Sequence, residues 1–191
     1  MRAFAVSLVC GAVGLGACGG ATTSGPGGAQ KVSVTGTVGG QPLATTDTIA
    51  ILESGAAFGL PNRQGVEIAI TNVPNTCAVL QRHGAPANTT SFSFGVTSTT
   101  GLVAEGTYPV TPGATGSGAS GGYSATDAQC NDKLSINAAS GSVTFTTISG
   151  SIVEGTFDIV LTGGDHLSGS FNAPVCAFTP STSTIQPVCG S

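Results

Sequence analysis

Two histidines, His83 and His166, are the imidazoles from which this 191-residue chain could build a general base or a metal site. Asp165, His166 and Ser168 supply the residue types of a hydrolase triad. Neighbouring residues on a strand point to opposite faces, however, so Asp165 cannot readily orient the His166 ring. A nucleophile elbow needs G-x-S-x-G between a strand and a helix. "GSGAS" (116–120) and "GASGG" (118–122) do not fit it, and both lie in a tract that reads as loop. Asp127 and Asp132 flank Cys130 in "DAQCND" and could offer oxygens to calcium. Calcium takes about six to eight such ligands, so two carboxylates beside a cysteine read as an ordinary polar loop. HExxH, GxxxxGK[ST] and CxxC do not occur. The expectation is a chain that is not an enzyme and uses no cofactor or metal.

Sulfur is the other chemistry. Cys77, Cys130, Cys176 and Cys189 stand 53, 46 and 13 residues apart. Zinc ligands come in closely spaced pairs, whereas an even cysteine count in an exported chain reads as two disulfides. Aromatic binding surfaces are poorly supplied. Sugar- and base-stacking modules present exposed rings, yet there is no Trp, and the tyrosines are Tyr108 and Tyr123. Tyr108 and Phe58 are the rings to examine, with covering the core edge as the simpler role for both. Only 7% of residues are Asp, Glu, Lys or Arg, against roughly a quarter in an average soluble protein. Past Arg2 the cations are Lys31, Arg63, Arg82 and Lys133, too scattered to form a footprint for nucleic acid or anionic lipid.

The elements that must position these residues are strands. Period-two alternation marks a strand with one buried face. "KVSVTGTVGG" sets Val32, Val34 and Val38 against Ser33, Thr35 and Thr37. "VEIAITN", "SFSFGVTS", "SVTFTTI", "VEGTFDIVL" and "HLSGSFNAPV" repeat the scheme, with Phe92, Phe94, Phe145, Phe157 and Phe171 inward. "TIAILE" and "GGYSATDA" are shorter and less clear. "NTCAVLQRH" is a helix of one or two turns, with Asn75 or Thr76 as its cap. Gly155-Thr-Phe-Asp158 and Gly169-Ser-Phe-Asn172 flank the turn Gly163-Gly164-Asp165. They read as a hairpin whose strands each need an inward Phe and a Gly where backbone is closely approached. The fold class is therefore all-β: an antiparallel β-sandwich or partly closed β-barrel of about 8–9 strands, stapled by disulfides.

If the strands run up and down in order, with one at about 102–110, then Cys77 and Cys176 both follow upward strands and Cys130 follows a downward one. Bridged cysteines need Cα atoms within about 7 Å. That arrangement predicts Cys77–Cys176 and Cys130–Cys189, with the tail after Cys176 long enough to reach the far end.

At the N-terminus, Arg2 precedes an apolar run to about Leu15, with small residues after it, as in an export signal. The run is too short to stay as an anchor, since a spanning helix needs about 20 apolar residues. Leu15-Gly16-Ala17-Cys18 resembles the lipobox of bacterial lipoproteins. The resemblance implies a lipoprotein signal peptide over residues 1–17, cleavage after Ala17, and acylation of Cys18 with fatty chains such as palmitate. Cys10 follows the bulkier Val9 and matches less well. Residues 18–30, "CGGATTSGPGGAQ", form a flexible tether. Residues 31–191 are the size of a single all-β domain. Gly19 stands where Asp marks inner-membrane retention in that family, so the resemblance implies the outer membrane. Two functions are carried forward. One is a non-catalytic, lipid-anchored cell-envelope lipoprotein with a structural or interaction role, docking another envelope protein. The alternative is a lipocalin-like carrier for a small apolar ligand, which requires a cavity of a few hundred cubic ångströms.

Overall fold

A computed structural model describes residues 31–54, 64–82, 84–98, 101–112, 118–177 and 188–189. The elements are β1 (Lys31–Val38), β2 (Gln41–Pro42), β3 (Asp47–Ser54), β4 (Gln64–Thr71), α1 (Thr76–Gln81), β5 (Gly84–Ala85), β6 (Thr90–Ser98) and β7 (Gly106–Pro109). They continue as β8 (Gly118–Thr126), β9 (Asp132–Ile148), β10 (Ile152–Leu161), β11 (His166–Pro174) and β12 (Val188–Cys189).

The main sheet runs β2-β1-β11-β10-β9-β8-β6-β4-β3, with β7 paired to β9 off this path. From β3 to β11 it is an antiparallel meander in chain order, and β1 joins its far side next to β11. A closed barrel would pair β1 with β3. Instead the sheet curls into a half-barrel. The end of β11 reaches the edge of β3, where Val175 bridges Ala50 and the Cys176 N–H donates to the Ala50 carbonyl at 2.7 Å. Of the two architectures expected from the sequence, this is the partly closed barrel.

Alternation explains what fills it. Phe92, Phe94, Phe145, Phe157 and Phe171 are all buried. Their rings touch in a chain: Phe92–Phe94 at 5.3 Å, Phe94–Phe157 at 4.9 Å, Phe94–Phe171 at 5.5 Å and Phe145–Phe171 at 6.0 Å. Burying each side chain contributes about 1.5–3 kcal/mol. The rings need space beside them, and two glycines provide it. Gly155 pairs with Phe171, and Gly169 with Phe157. A methyl on Gly155 would lie 2.8 Å from Phe171 Cζ, and one on Gly169 would lie 3.0 Å from Phe157 Cζ. The repeated Gly-x-Phe motif is thus a hairpin in which each ring lies over the opposite glycine.

Three expectations need correction. Residues 102–110 do not form a strand between the sixth and eighth. β7 is short and extends the β8 side of β9, pairing residues 106–109 with 142–145, while β6 pairs directly with β8. The tract at 118–122 is strand rather than loop. β9 begins at Asp132, well before "SVTFTTI": Leu134, Ile136 and Ala138 alternate with Ser135 and Asn137, and a bulge between Ala138 and Ser140 breaks the period before Val143.

Candidate functional site

His166 opens β11 with its Nε2 3.1 Å from Asp158 Oδ1 on β10. Both side chains are more than half exposed, at 52% and 63%. Asp165 turns elsewhere, and its Oδ2 accepts the Gly39 N–H at 2.9 Å, linking the β10–β11 turn to the β1–β2 turn. Ser168 lies in register opposite Asp158. The imidazole therefore has a carboxylate partner, but it is Asp158 on the neighbouring strand. A side-chain contact this exposed contributes about 0–1 kcal/mol.

The "DAQCND" loop is a self-contained turn. Asp127 Oδ1 accepts the Gln129 and Asn131 N–H groups, each at 2.9 Å, and its Oδ2 accepts from Asn131 Nδ2 at 3.3 Å. The Asn131 amide is the main cause that holds this carboxyl below the usual range, with Gln129 and Lys133 adding to it. Of the carboxylates considered for calcium, Asp127 is engaged in closing the β8–β9 turn. No group of three or more His, Cys, Asp or Glu that could hold a metal occurs among the described residues.

A polar cleft on the outer face was not foreseen. It measures about 210 Å³ and is lined by Glu53, Glu67, Ser93, Thr97, Ser120 and the glycines 65, 95 and 121, among others. At two of those glycines the neighbouring backbone leaves no room for a side chain. A methyl on Gly95 would meet the Val66 carbonyl at 2.6 Å, and one on Gly121 the Ser93 carbonyl at 2.5 Å. Burial pushes the Glu67 carboxyl up from its ordinary value, and the nearby Glu53 charge adds to that, while a Ser93 hydrogen bond opposes it. The cleft's sequence signal was the placing of Glu53 and Glu67 at outward positions of consecutive strands.

Tyr108 covers the core edge. Its ring stands edge-on to Phe145 at 6.1 Å, and its hydroxyl donates to the Ala104 carbonyl at 2.8 Å. Tyr123 is half-buried against the core, which pushes its phenol up.

The four domain cysteines gather at one end of the half-barrel. Cross-strand register places the end of β4, the start of β6, the end of β8 and the start of β9 together, through Thr71–Ser91, Ser91–Ser124 and Ser124–Ser135. Cys77 bonds Cys176 with Cα atoms 5.5 Å apart, and Cys130 bonds Cys189 at 5.7 Å. These are the expected pairs, although strand polarity does not produce them. With β4 upward, β8 also runs upward and β11 downward. Polarity alone would have joined Cys77 to Cys130. The stagger of the curled sheet decides instead, carrying the end of β11 up beside β3 and α1. Cys18, the lipidation candidate, lies outside the described residues, as do Cys10, Phe58, Arg63 and His83.

Comparisons with protein-family models, with curated proteins and with solved structures find no match for this chain.

Proposed function

We propose that this chain is a lipid-anchored envelope lipoprotein, held through acylated Cys18, whose β domain has a non-catalytic structural or docking role toward another envelope protein. The observation that carries the reading is the engagement of all four domain cysteines in disulfides, because such bonds persist in oxidising compartments outside the cytoplasm. The Leu15-Gly16-Ala17-Cys18 motif supplies the anchor. The aromatic filling of the interior favours this role over the carrier, since contacting rings occupy the space an apolar ligand would need.

The test is fractionation in a bacterial host. Cys18→Ser should move the protein out of the membrane fraction and block acyl labelling, while Cys10→Ser should leave both unchanged. With Gly19 after the anchor, the wild type should band with outer-membrane markers on a density gradient. A Cys18→Ser protein that matures to the same size and still partitions into detergent would overturn the reading.

A further inference from the structure

The two disulfides differ in access and in what they hold. Cys77–Cys176 is the inner one. Cys176 is 3% exposed, its N–H is bonded to β3, and Gln81 of α1 donates to the next carbonyl, Ala177, at 3.1 Å. The Cys77 side is half-buried, like Cys130, so the buried Cys176 and its bonds to β3 and α1 are what restrict access. Cys130–Cys189 is the outer one. Cys189 is exposed and Cys130 half-buried. Cys189 belongs to β12, a two-residue strand paired in parallel with β5 at Val188–Gly84 and Cys189–Ala85. A ladder of two residues does not hold a segment by itself, as strands normally need about 3–10. The covalent bond is what keeps this clasp shut. Its other half is a tight turn, with Cys130 in the left-handed region at φ 61° and its N–H bonded to the Asp127 carbonyl at 3.0 Å.

We infer that Cys130–Cys189 is a thiol–disulfide exchange site, open to thiolates of small reductants or partner proteins, and that exchange there releases the C-terminal clasp while the half-barrel stays folded. Exposed disulfides are the labile ones, and exchange rate depends on which sulfur can be approached. The approachable sulfur is that of Cys189. The incoming thiolate forms a new S–S bond to Cys189 Sγ, and the Cys130–Cys189 bond breaks. Its electron pair leaves on Cys130 Sγ, which then takes a proton from water. A second thiolate attacks the reductant sulfur of the mixed disulfide, leaving Cys189 as a thiolate and the reductant as its own disulfide. Two electrons have then passed to the protein. Loss of β12 from β5 leaves the main sheet paired as before, because none of its ladders includes residues 188–189.

The experiment uses the purified full chain with glutathione as the probe. The protein is exposed to reduced glutathione for graded times, quenched, alkylated and mapped by mass spectrometry without further reduction. The glutathione adduct should appear on Cys189 with a free thiol on Cys130, at least tenfold faster than any label reaches Cys77 or Cys176. Hydrogen exchange on the same samples should rise at residues 84–85 and 188–189, with protection kept across β4, β6, β10 and β11. Labelling of Cys77 and Cys176 first or at the same rate, an adduct on Cys130 instead, or loss of protection throughout the sheet would each overturn the inference.

Discussion

Phe157 shows at the residue scale how the interior is held. Its ring touches Phe92 at 5.4 Å and Phe94 at 4.9 Å while lying over Gly169. Phe157→Ala should cost about 3–5 kcal/mol through lost burial and the cavity left behind. The exposed neighbour Thr156 on the other face should cost well under about 1 kcal/mol when changed to Ala. Denaturant midpoints compare the two, and equal midpoints would mean that the strand faces are reversed. Glu67 carries the opposite kind of strain. A carboxyl whose folded pKa is raised makes the native state bind protons more tightly than the unfolded chain. Stability is then highest below the ordinary value of 4.5 and is lost as pH rises through the folded pKa. Glu67→Gln should therefore stabilise the protein at neutral pH, with little change near pH 4, as read by thermal melts at both pH values. The outward placing of this residue was legible in "VEIAITN". Its burial was not, because it depends on Gly95 and Ser120 beside it.

α1 is the clearest case at the element scale. Asn75 and Thr76 were both sequence candidates for its cap; Asn75 takes the position, left-handed at φ 58°, with its carbonyl accepting the Val79 N–H but no capping bond from its side chain. The carboxylate comes from Asp47, 29 residues earlier, whose Oδ2 accepts the Thr76 N–H at 2.6 Å. A bond between distant chain segments leaves no local signature. Asp47→Ala should cost about 0.5–2 kcal/mol and speed hydrogen exchange in α1 before it affects β4 or β6. The β10–β11 hairpin lies at the other extreme. Its alternation, turn and Gly-x-Phe repeat sit within one short stretch, so the sequence displays it fully. The first half of β9 was missed although Leu134, Ile136 and Ala138 alternate there with Ser135 and Asn137, because the bulge at Ala138–Ser140 puts that run out of phase with "SVTFTTI".

The disulfides matter most at the scale of the whole molecule. Cys77–Cys176 closes a span of 99 residues and holds the β11 end against β3, where the half-barrel comes nearest to closing. The Cys77→Ser/Cys176→Ser pair should lose about 2–5 kcal/mol and loosen that junction. Cys130→Ser/Cys189→Ser, which frees only the clasp, should lose less. Thermal melts and exchange at Ala50 and Val175 distinguish them. If the carrier alternative held, a fluorescent fatty-acid analogue would bind saturably to the purified domain. With five phenylalanines packed in the interior, no saturable binding is expected.

Composition and period-two patterning by themselves determined the all-β class, the inward Phe set, the hairpin and the engagement of four cysteines in disulfides. These follow from local chemistry: side chains alternate along a strand, and turn residues and cysteines can be read where they stand. Tertiary structure alone decided that the sheet curls into a half-barrel, that β7 lies off the meander, and that Cys176 arrives beside Cys77. It also decided that Asp158, rather than Asp165, faces His166. Each depends on register and stagger between strands far apart in sequence, and a one-strand difference in neighbour order reverses every direction after it.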